Sequence, residues 1–365
     1  MGDTLNIGIV GAGVISGAYL AALPALPGVE IVAVADLDLE RAAAVAAEHG
    51  IRAMSVDELL ADEGVDLVLN LTIPAAHAEV ALAAIAAGKH VYGEKPLALD
   101  VAEARQVLDA ARERGVVVGS APDTVLGTGI QTARALLDAG AVGEPVAASV
   151  NWLSAGHESW HPNPDFYYQP GGGPLLDMGP YYLSALVTLF GPVARVSGAT
   201  VRSDRDRVIG SGPRAGSPVP VDVETHITAT VEHANGVVAS VTVSFEVRAS
   251  RAPLFEVYGT EGSLAVPDPN QFSRPVEIWH RDRPEWVEAP ASAGYVDAGR
   301  GIGVADLAGS LATGTRPARA SGELGLHVLE VMEAILVAGR EHRVVDIAST
   351  VERPEVVDLG ADPRS

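Results

Sequence analysis

The sequence predicts an α/β protein: an N-terminal doubly wound parallel sheet over residues 1–124, then an α+β domain with a largely antiparallel open sheet over residues 125–365. Three observations predict it. From Leu5 to about Ser120, short runs rich in Val, Ile and Leu alternate with alanine-rich stretches of helical length, the pattern of βαβ units. After about Thr124 that rhythm gives way to alternating apolar and polar residues, as in "HITATVEHANGVVASVTVSFEV", which suits strands with one covered face. At 365 residues the chain exceeds one ordinary core, so two domains are expected.

The elements follow in order. "LNIGIVG" reads as a strand and "ISGAYLAALPAL" as a helix ending near two prolines. "VEIVAVAD" is the next strand, and "LERAAAVAAEHG" a helix closed by a glycine. "VDLVLNLT", "HAEVALAAIAAG", "HVYGEKP", "VAEARQVLDAARERG" and "VVVGSAPD" continue the alternation. A helix, "GIQTARALLDAGAVG", then leads to the strand "PVAASVNWLS". From Val193 to Val266 the chain is mostly strand-like, with a hairpin signal at Asn235-Gly236. "SDRDRVIGSGPRAGSPVP" reads as an exposed loop, and "GELGLHVLEVMEAILVAG" as a late amphipathic helix.

Composition narrows the function. A net charge of −22, from 47 acids against 25 Lys and Arg, argues against nucleic acid or an anionic membrane as partner. There is no cysteine, which excludes disulfides, thiolate nucleophiles and Cys-ligated zinc. No segment reaches the ~18 uninterrupted apolar residues that a membrane span needs, and no secretory signal is read at the N-terminus. The expected setting is the cytoplasm.

"GIVGAGVIS" follows the first strand and opens a helix, so Gly11 and Gly13 fit the first two positions of a Rossmann dinucleotide-binding turn. Ser16 stands in place of the third glycine. Asp36 ends the next strand, where a carboxylate accepts hydrogen bonds from a ribose and repels a 2′-phosphate. Leu37 follows it, offering nothing to a phosphate, so NAD is expected over NADP. Val14 and Ile15 complete the turn.

"AGKHVYGEKPLALD" places Glu94, Lys95 and Pro96 at the carboxyl end of a parallel strand, where open α/β sheets bind ligands. With "GIVGAG", Asp36, "NLTIPAAH" and "GGGPLLDMG" in this order and spacing, the chain resembles the Gfo/Idh/MocA family of nicotinamide-dependent oxidoreductases along its whole length. The resemblance implies that Glu94, Lys95 and Pro96 lie beside the nicotinamide, that Lys95 contacts the reacting substrate oxygen, and that a cis peptide precedes the proline. Thr72, Ile73, Pro74 and His77 match the family's loop flanking the cofactor, although His77 also reads as an ordinary helix-start residue. The second domain's open sheet is implied to form a homodimer or homotetramer.

In "GGGPLLDMGPYYL", Asp177 matches the family's aspartate, and Tyr181 stands where many relatives carry a histidine that takes the substrate proton. This resembles the family's tyrosine-bearing branch. A phenol with an ordinary pKa of about 10 is a poor base near neutrality unless helped. Lys95 supplies that help in one reading. In the other, Tyr181 is only a donor, and Asp177 or a water takes the proton. Residues four apart share a helix face, but Pro180 intervenes, so the helix either starts there or starts at Pro174 and kinks. Tyr182 reads as core.

Residues 156–173, "GHESWHPNPDFYYQPGGG", are rich in aromatics, and Trp160, His161 and Tyr167 are the expected sugar contacts. A metal on His157, His161 and Asp165 is not expected, because prolines break the spacing. Asp123 ends a strand and is expected to face substrate or ribose. His327, on the late helix, reads as a core histidine. The sequence thus predicts an NAD-dependent dehydrogenase acting on a secondary hydroxyl of a sugar, cyclitol or related polyol. The catalytic residues are Lys95, Asp177 and Tyr181. A redox-neutral glycoside-cleaving enzyme with tightly held NAD and a non-catalytic NAD-binding protein are the competing readings.

Overall fold

A computed structural model of the protein describes residues 4–364. The chain divides into two compact units. The first comprises Met1–Gln131, Ser292–Leu329 and Pro354–Ser365, the second Thr132–Ala291 and Glu330–Arg353. A linear boundary after residue 124 therefore leaves out two later segments that pack with the N-terminal residues.

The first unit carries a six-stranded sheet. Its strands are β1 (Leu5–Val10), β2 (Val29–Ala35), β3 (Arg52–Met54), β4 (Leu67–Asn70), β5 (His90–Gly93) and β6 (Val118–Ser120). All its pairings are parallel, in the order β3-β2-β1-β4-β5-β6. The order reverses between β1 and β4, and the loops after these strands form the crevice in which such sheets take ligands. Burial on both faces explains the unbroken apolar runs: every residue of β4 is buried.

Helices α1 (Ser16–Ala22), α2 (Leu39–His49), α3 (Val56–Ala61), α4 (His77–Ala86) and α5 (Val101–Arg114) lie between the strands. Local chemistry sets their ends. Asp38 caps α2 by accepting the Arg41 N–H at 3.1 Å, and Gly50 closes it in the left-handed conformation. Ser55 and Glu58 form a reciprocal capping box on α3, a pattern that the sequence reading passed over together with β3.

Helix α6 (Thr128–Asp138) leads into the second unit, whose sheet has nine strands. They are β7 (Pro145–Leu153), β8 (Val193–Val201), β9 (His226–His233), β10 (Val238–Ser244), β11 (Phe255–Gly259), β12 (Gly262–Ala265), β13 (Val276–His280), β14 (Arg283–Ala289) and β15 (Val345–Asp346). Their order is β14-β13-β12-β11-β7-β10-β9-β8-β15, antiparallel except where β7 meets β10. Helix α7 (Pro174–Phe190) packs on β9 and β10. The register aligns Ser149, Ser240, Thr230 and Ser197 in one row on the other face. This is why β9 alternates between buried and exposed residues.

Helices α8 (Ile302–Thr313) and α9 (Gly322–Glu341) follow, and His327 in α9 is fully buried, as a core histidine should be. The stretch read as an exposed loop is only partly so. Arg207, Ile209 and Val219 are buried, and the two apolar residues join Tyr168 and Phe245 in a core cluster. Among the described residues, no helix is long and apolar enough to cross a membrane.

Candidate active site

The glycine turn after β1 is shaped by backbone proximity. Gly11 has φ +104°, and a Cβ there would lie 2.6 Å from the Leu71 carbonyl oxygen, so no larger residue fits. Gly13 differs. Its φ is ordinary and nothing lies within 4 Å of where its Cβ would be, so the protein's own packing gives no reason for glycine. The space beside its backbone is open to an incoming group. Ser16 is buried and its hydroxyl donates to the Gly13 carbonyl at 2.7 Å, so it braces the turn that a third glycine would otherwise close.

Asp36 is tied to the same turn. One carboxylate oxygen accepts the Ala12 N–H and the other the Asp38 N–H, both at 2.8 Å. Around this carboxylate, the loops after β1, β2 and β4 expose Val14, Leu37 and Ile73, with Val14 and Leu37 almost fully in solvent. Three bare aliphatic side chains on three neighbouring loops suit the flat faces of a dinucleotide base. Pro74 is exposed beside Ile73, and Ile15 is half-buried. These residues fit a dinucleotide.

The loop after β5 carries the charged motif. Glu94 accepts the Tyr19 hydroxyl at 2.8 Å and the Lys95 N–H at 3.1 Å. Lys95 is half-buried, and the peptide joining it to Pro96 is cis, as the family resemblance implies. His77 does not reach outward. It is buried, its Nδ1 lies 2.6 Å from the Pro96 carbonyl and its Nε2 3.1 Å from the Thr72 carbonyl. With both ring nitrogens on backbone oxygens, His77 braces the Thr72 loop against the Lys95 turn and has no nitrogen left for a cofactor. Thr72 in turn donates its hydroxyl to Asn70 at 2.7 Å.

Asp123 corrects the sequence reading. It is fully buried within the first unit and accepts the backbone N–H groups of Gly301 at 2.7 Å and Gly303 at 3.2 Å. Burial pushes its carboxyl up, against the pull of Arg300 at 3.5 Å and of those two N–H groups. Its place at a strand end suggested a ligand. The later segment that covers it was not legible from position alone.

In the second unit, α7 runs unbroken from Pro174 through Pro180, so Asp177 in its first turn and Tyr181 one turn on share a face. Tyr182 is core: it is fully buried, its hydroxyl donating to Asp268 at 3.0 Å. Asp177 meets a histidine that the sequence reading weighed as a metal ligand and not as its partner. His157 Nε2 lies 3.0 Å from an Asp177 carboxylate oxygen. The His157 ring sits edge-on to Tyr167 at 4.3 Å and to Trp160 at 5.2 Å between centroids, with Phe245 at 4.8 Å. Tyr167 is half-buried, and its phenol is pushed up to about 12 by burial, then by Asp177 and Tyr181.

Trp160 is mostly exposed. His161, edge-on to Trp160 at 5.4 Å, accepts the Asn163 N–H at 3.1 Å. Asp165 pairs instead with Arg214, and among the described residues no three metal-ligating side chains converge.

What holds this loop lay outside the sequence reading. Arg207, with its side chain almost wholly buried, donates to Glu158 at 2.7 Å, to the Tyr168 hydroxyl at 3.1 Å and to the Phe245 carbonyl at 2.9 Å. Tyr168 donates to Glu158 and accepts the His157 N–H at 3.0 Å. Gly156 lies against them, where a Cβ would clash with all three side chains. The only sequence signal was an arginine-bearing stretch that also holds Ile209 and Val219.

Residues 5–121 match the oxidoreductase family model with an NAD-binding Rossmann fold, and residues 130–265 match the GFO/IDH/MocA C-terminal domain. The chain is 32% identical to 1,5-anhydro-D-fructose reductase of Ensifer adhaerens over 70% of its own length and 74% of that protein. It is also 32% identical to dTDP-3,4-didehydro-2,6-dideoxy-alpha-D-glucose 3-reductase of Streptomyces antibioticus, over 80% of this chain and 86% of that one. An NAD binding oxidoreductase from Klebsiella pneumoniae has the same fold, with a TM-score of 0.82 and 27% identity over 95% of this chain and 100% of that structure. The chain belongs to the Gfo/Idh/MocA family of oxidoreductases, and its first unit carries the family's NAD-binding domain.

Proposed function

We propose that this Gfo/Idh/MocA oxidoreductase interconverts a secondary hydroxyl and a ketone on a sugar, cyclitol or related polyol, with NAD as redox partner. The observation that carries the reading is the place of Lys95. It follows the parallel strand β5, in the same unit as a glycine turn left open at Gly13. Bound NAD supplies the hydride acceptor; the chain's own residues supply the rest. The Lys95 ammonium stabilises the negative charge that grows on the substrate oxygen. Tyr181 exchanges the hydroxyl proton, Asp177 orients the reacting group, and the aromatic faces of Trp160 and Tyr167 take the C–H face of the substrate ring. Val14, Leu37 and Ile73 hold the base, and Asp36 the ribose, which favours NAD over NADP.

Both relatives are named as reductases, which supports the reverse direction, with the proton delivered to a keto sugar by the same groups. The family resemblance supports self-association as a dimer or tetramer through the nine-stranded sheet, and the cysteine-free sequence is in keeping with a reducing cytoplasm. The test is a screen of monosaccharides, inositols, glycosides and keto sugars with NAD, NADP and their reduced forms, read by nicotinamide absorbance. Turnover that disappears in Lys95→Ala, with NAD still bound, is the expected result. NAD binding without turnover on any of them rejects the reading in favour of a binding protein. Copurified NAD together with glycoside cleavage and no net NADH replaces it with redox-neutral chemistry.

A further inference from the structure

We infer that His157 is the positioning residue for Asp177, supplying from the loop before α7 the histidine that the helix lacks at position 181. The inference rests on the dehydrogenase reading for its effect on turnover, but the bond itself stands on geometry. His157 Nε2 is 3.0 Å from Asp177 Oδ2. The other ring nitrogen, Nδ1, is buried, with no hydrogen-bond partner among the described residues. A proton on Nδ1 would have no acceptor and would leave Nε2 with only a lone pair facing a carboxylate. The ring proton therefore belongs on Nε2, aimed at Asp177.

Ring and backbone are both held. The ring is enclosed by Tyr167, Phe245, Trp160 and Trp152 at centroid distances of 4.3 to 6.0 Å. Its backbone N–H donates to the Tyr168 hydroxyl, which is itself gripped by Glu158 and Arg207. A histidine placed so tightly fixes the direction from which its N–H meets Asp177 Oδ2. Such an outer partner fixes the orientation of the group that touches substrate, as the partners of metal-bound histidines do. The buried Arg207–Glu158–Tyr168 cluster then has a task beyond packing: it sets the loop that sets the ring.

The test uses the whole two-unit protein with four variants, Asp177→Asn among them. His157→Phe keeps an aromatic ring in the collar and removes the donor. His157→Gln keeps an N–H near the position of Nε2. A tenfold or larger fall in kcat for His157→Phe, with the KM for NAD unchanged and thermal unfolding close to the parent's, is expected. Partial recovery in His157→Gln, and a His157→Phe/Asp177→Asn double variant no slower than Asp177→Asn alone, complete the expectation.

Parent-like kcat in His157→Phe, or losses that multiply in the double variant, overturn the inference. A second readout does not need turnover. Imidazole nitrogen NMR of the parent should show His157 protonated at Nε2, with a shift in Asp177→Asn. Protonation at Nδ1 would overturn the bond. If no sugar or polyol is turned over, the dehydrogenase reading fails and the NMR result alone decides the His157–Asp177 pairing.

Discussion

The Tyr19 hydroxyl donates to Glu94 at 2.8 Å, so a fully buried residue of α1 holds the acid that precedes Lys95. Burial pushes the Tyr19 phenol well above 10, with Glu94 and Asp123 adding to the effect. It is therefore a donor over the whole working pH range. Tyr19→Phe strands a carboxylate oxygen, and a loss of about 1–2 kcal/mol in denaturant unfolding is expected. The kcat should fall several-fold while NAD affinity, measured by calorimetry, changes little. An unchanged kcat would reduce the contact to packing.

The two glycines of the turn separate conformational need from ligand approach. Gly11→Ala forces a positive φ and a backbone clash, and should cost several kcal/mol of stability. Gly13→Ala meets no atom of the protein, so its unfolding midpoint should stay at the parent value while NAD affinity falls tenfold or more. Equal NAD affinity in Gly13→Ala would mean that no ligand approaches there.

Asp36 joins two tasks that one substitution can split. Its oxygens accept the Ala12 and Asp38 N–H groups and so brace the turn, and in the proposed reading they also hold the ribose. Asp36→Asn keeps one acceptor and removes the charge that repels a 2′-phosphate. The ratio of kcat/KM with NADP to that with NAD should rise at least tenfold, at some cost to NAD affinity. A fixed ratio would show that cofactor choice resides elsewhere.

Two tyrosines beside Asp177 should behave differently. Tyr167, with its phenol held up to about 12, stays protonated at working pH, so Tyr167→Phe should raise the substrate KM and leave the pH–rate profile in place. Tyr181→Phe should lower kcat by about 10²-fold if the phenol carries the proton. In that case Tyr181→His should restore part of the rate with its optimum moved to lower pH. A Tyr181→Phe enzyme with the parent's rate and profile would leave the proton to Asp177 or water.

Elsewhere in the second unit, Arg340 of α9 grips Glu224 with two hydrogen bonds, the longer 2.7 Å. These hold the Glu224 carboxyl below 4.5. A depressed acid stabilises the folded state above its unfolded value, and that contribution fades as pH falls through the folded one. Arg340→Ala should therefore cost about 0.5–1 kcal/mol near neutrality, given a half-exposed arginine, and almost nothing near pH 3. A penalty constant with pH would point to lost packing of the arginine stem.

The parallel sheet and its glycine turn were legible because both are written in local sequence. Apolar strands, alanine-rich helices and Gly11 each carry a short-range physical requirement. The capping box at Ser55 was equally local and was passed over. Asp123 and His77 misled for a shared reason. Each sits at a strand or helix end that faces ligands by topology, but long-range partners cover them: Gly301 and Gly303 over Asp123, Pro96 and Thr72 around His77. The pairing of His157 with Asp177 spans 20 residues of loop and helix that no periodicity describes. The arginine that anchors it lies in a stretch whose composition reads as surface.

The first unit is assembled from three stretches of chain, so its completion depends on the order of synthesis. On the ribosome, Asp123 emerges 178 residues before Gly301, whose N–H it accepts, and Gln131 awaits the N–H of Val357, 226 residues later. The half of the protein made first is thus finished last. Until then its buried carboxylate lacks these donors, and a nascent chain arrested before residue 300 would carry an unfinished NAD domain.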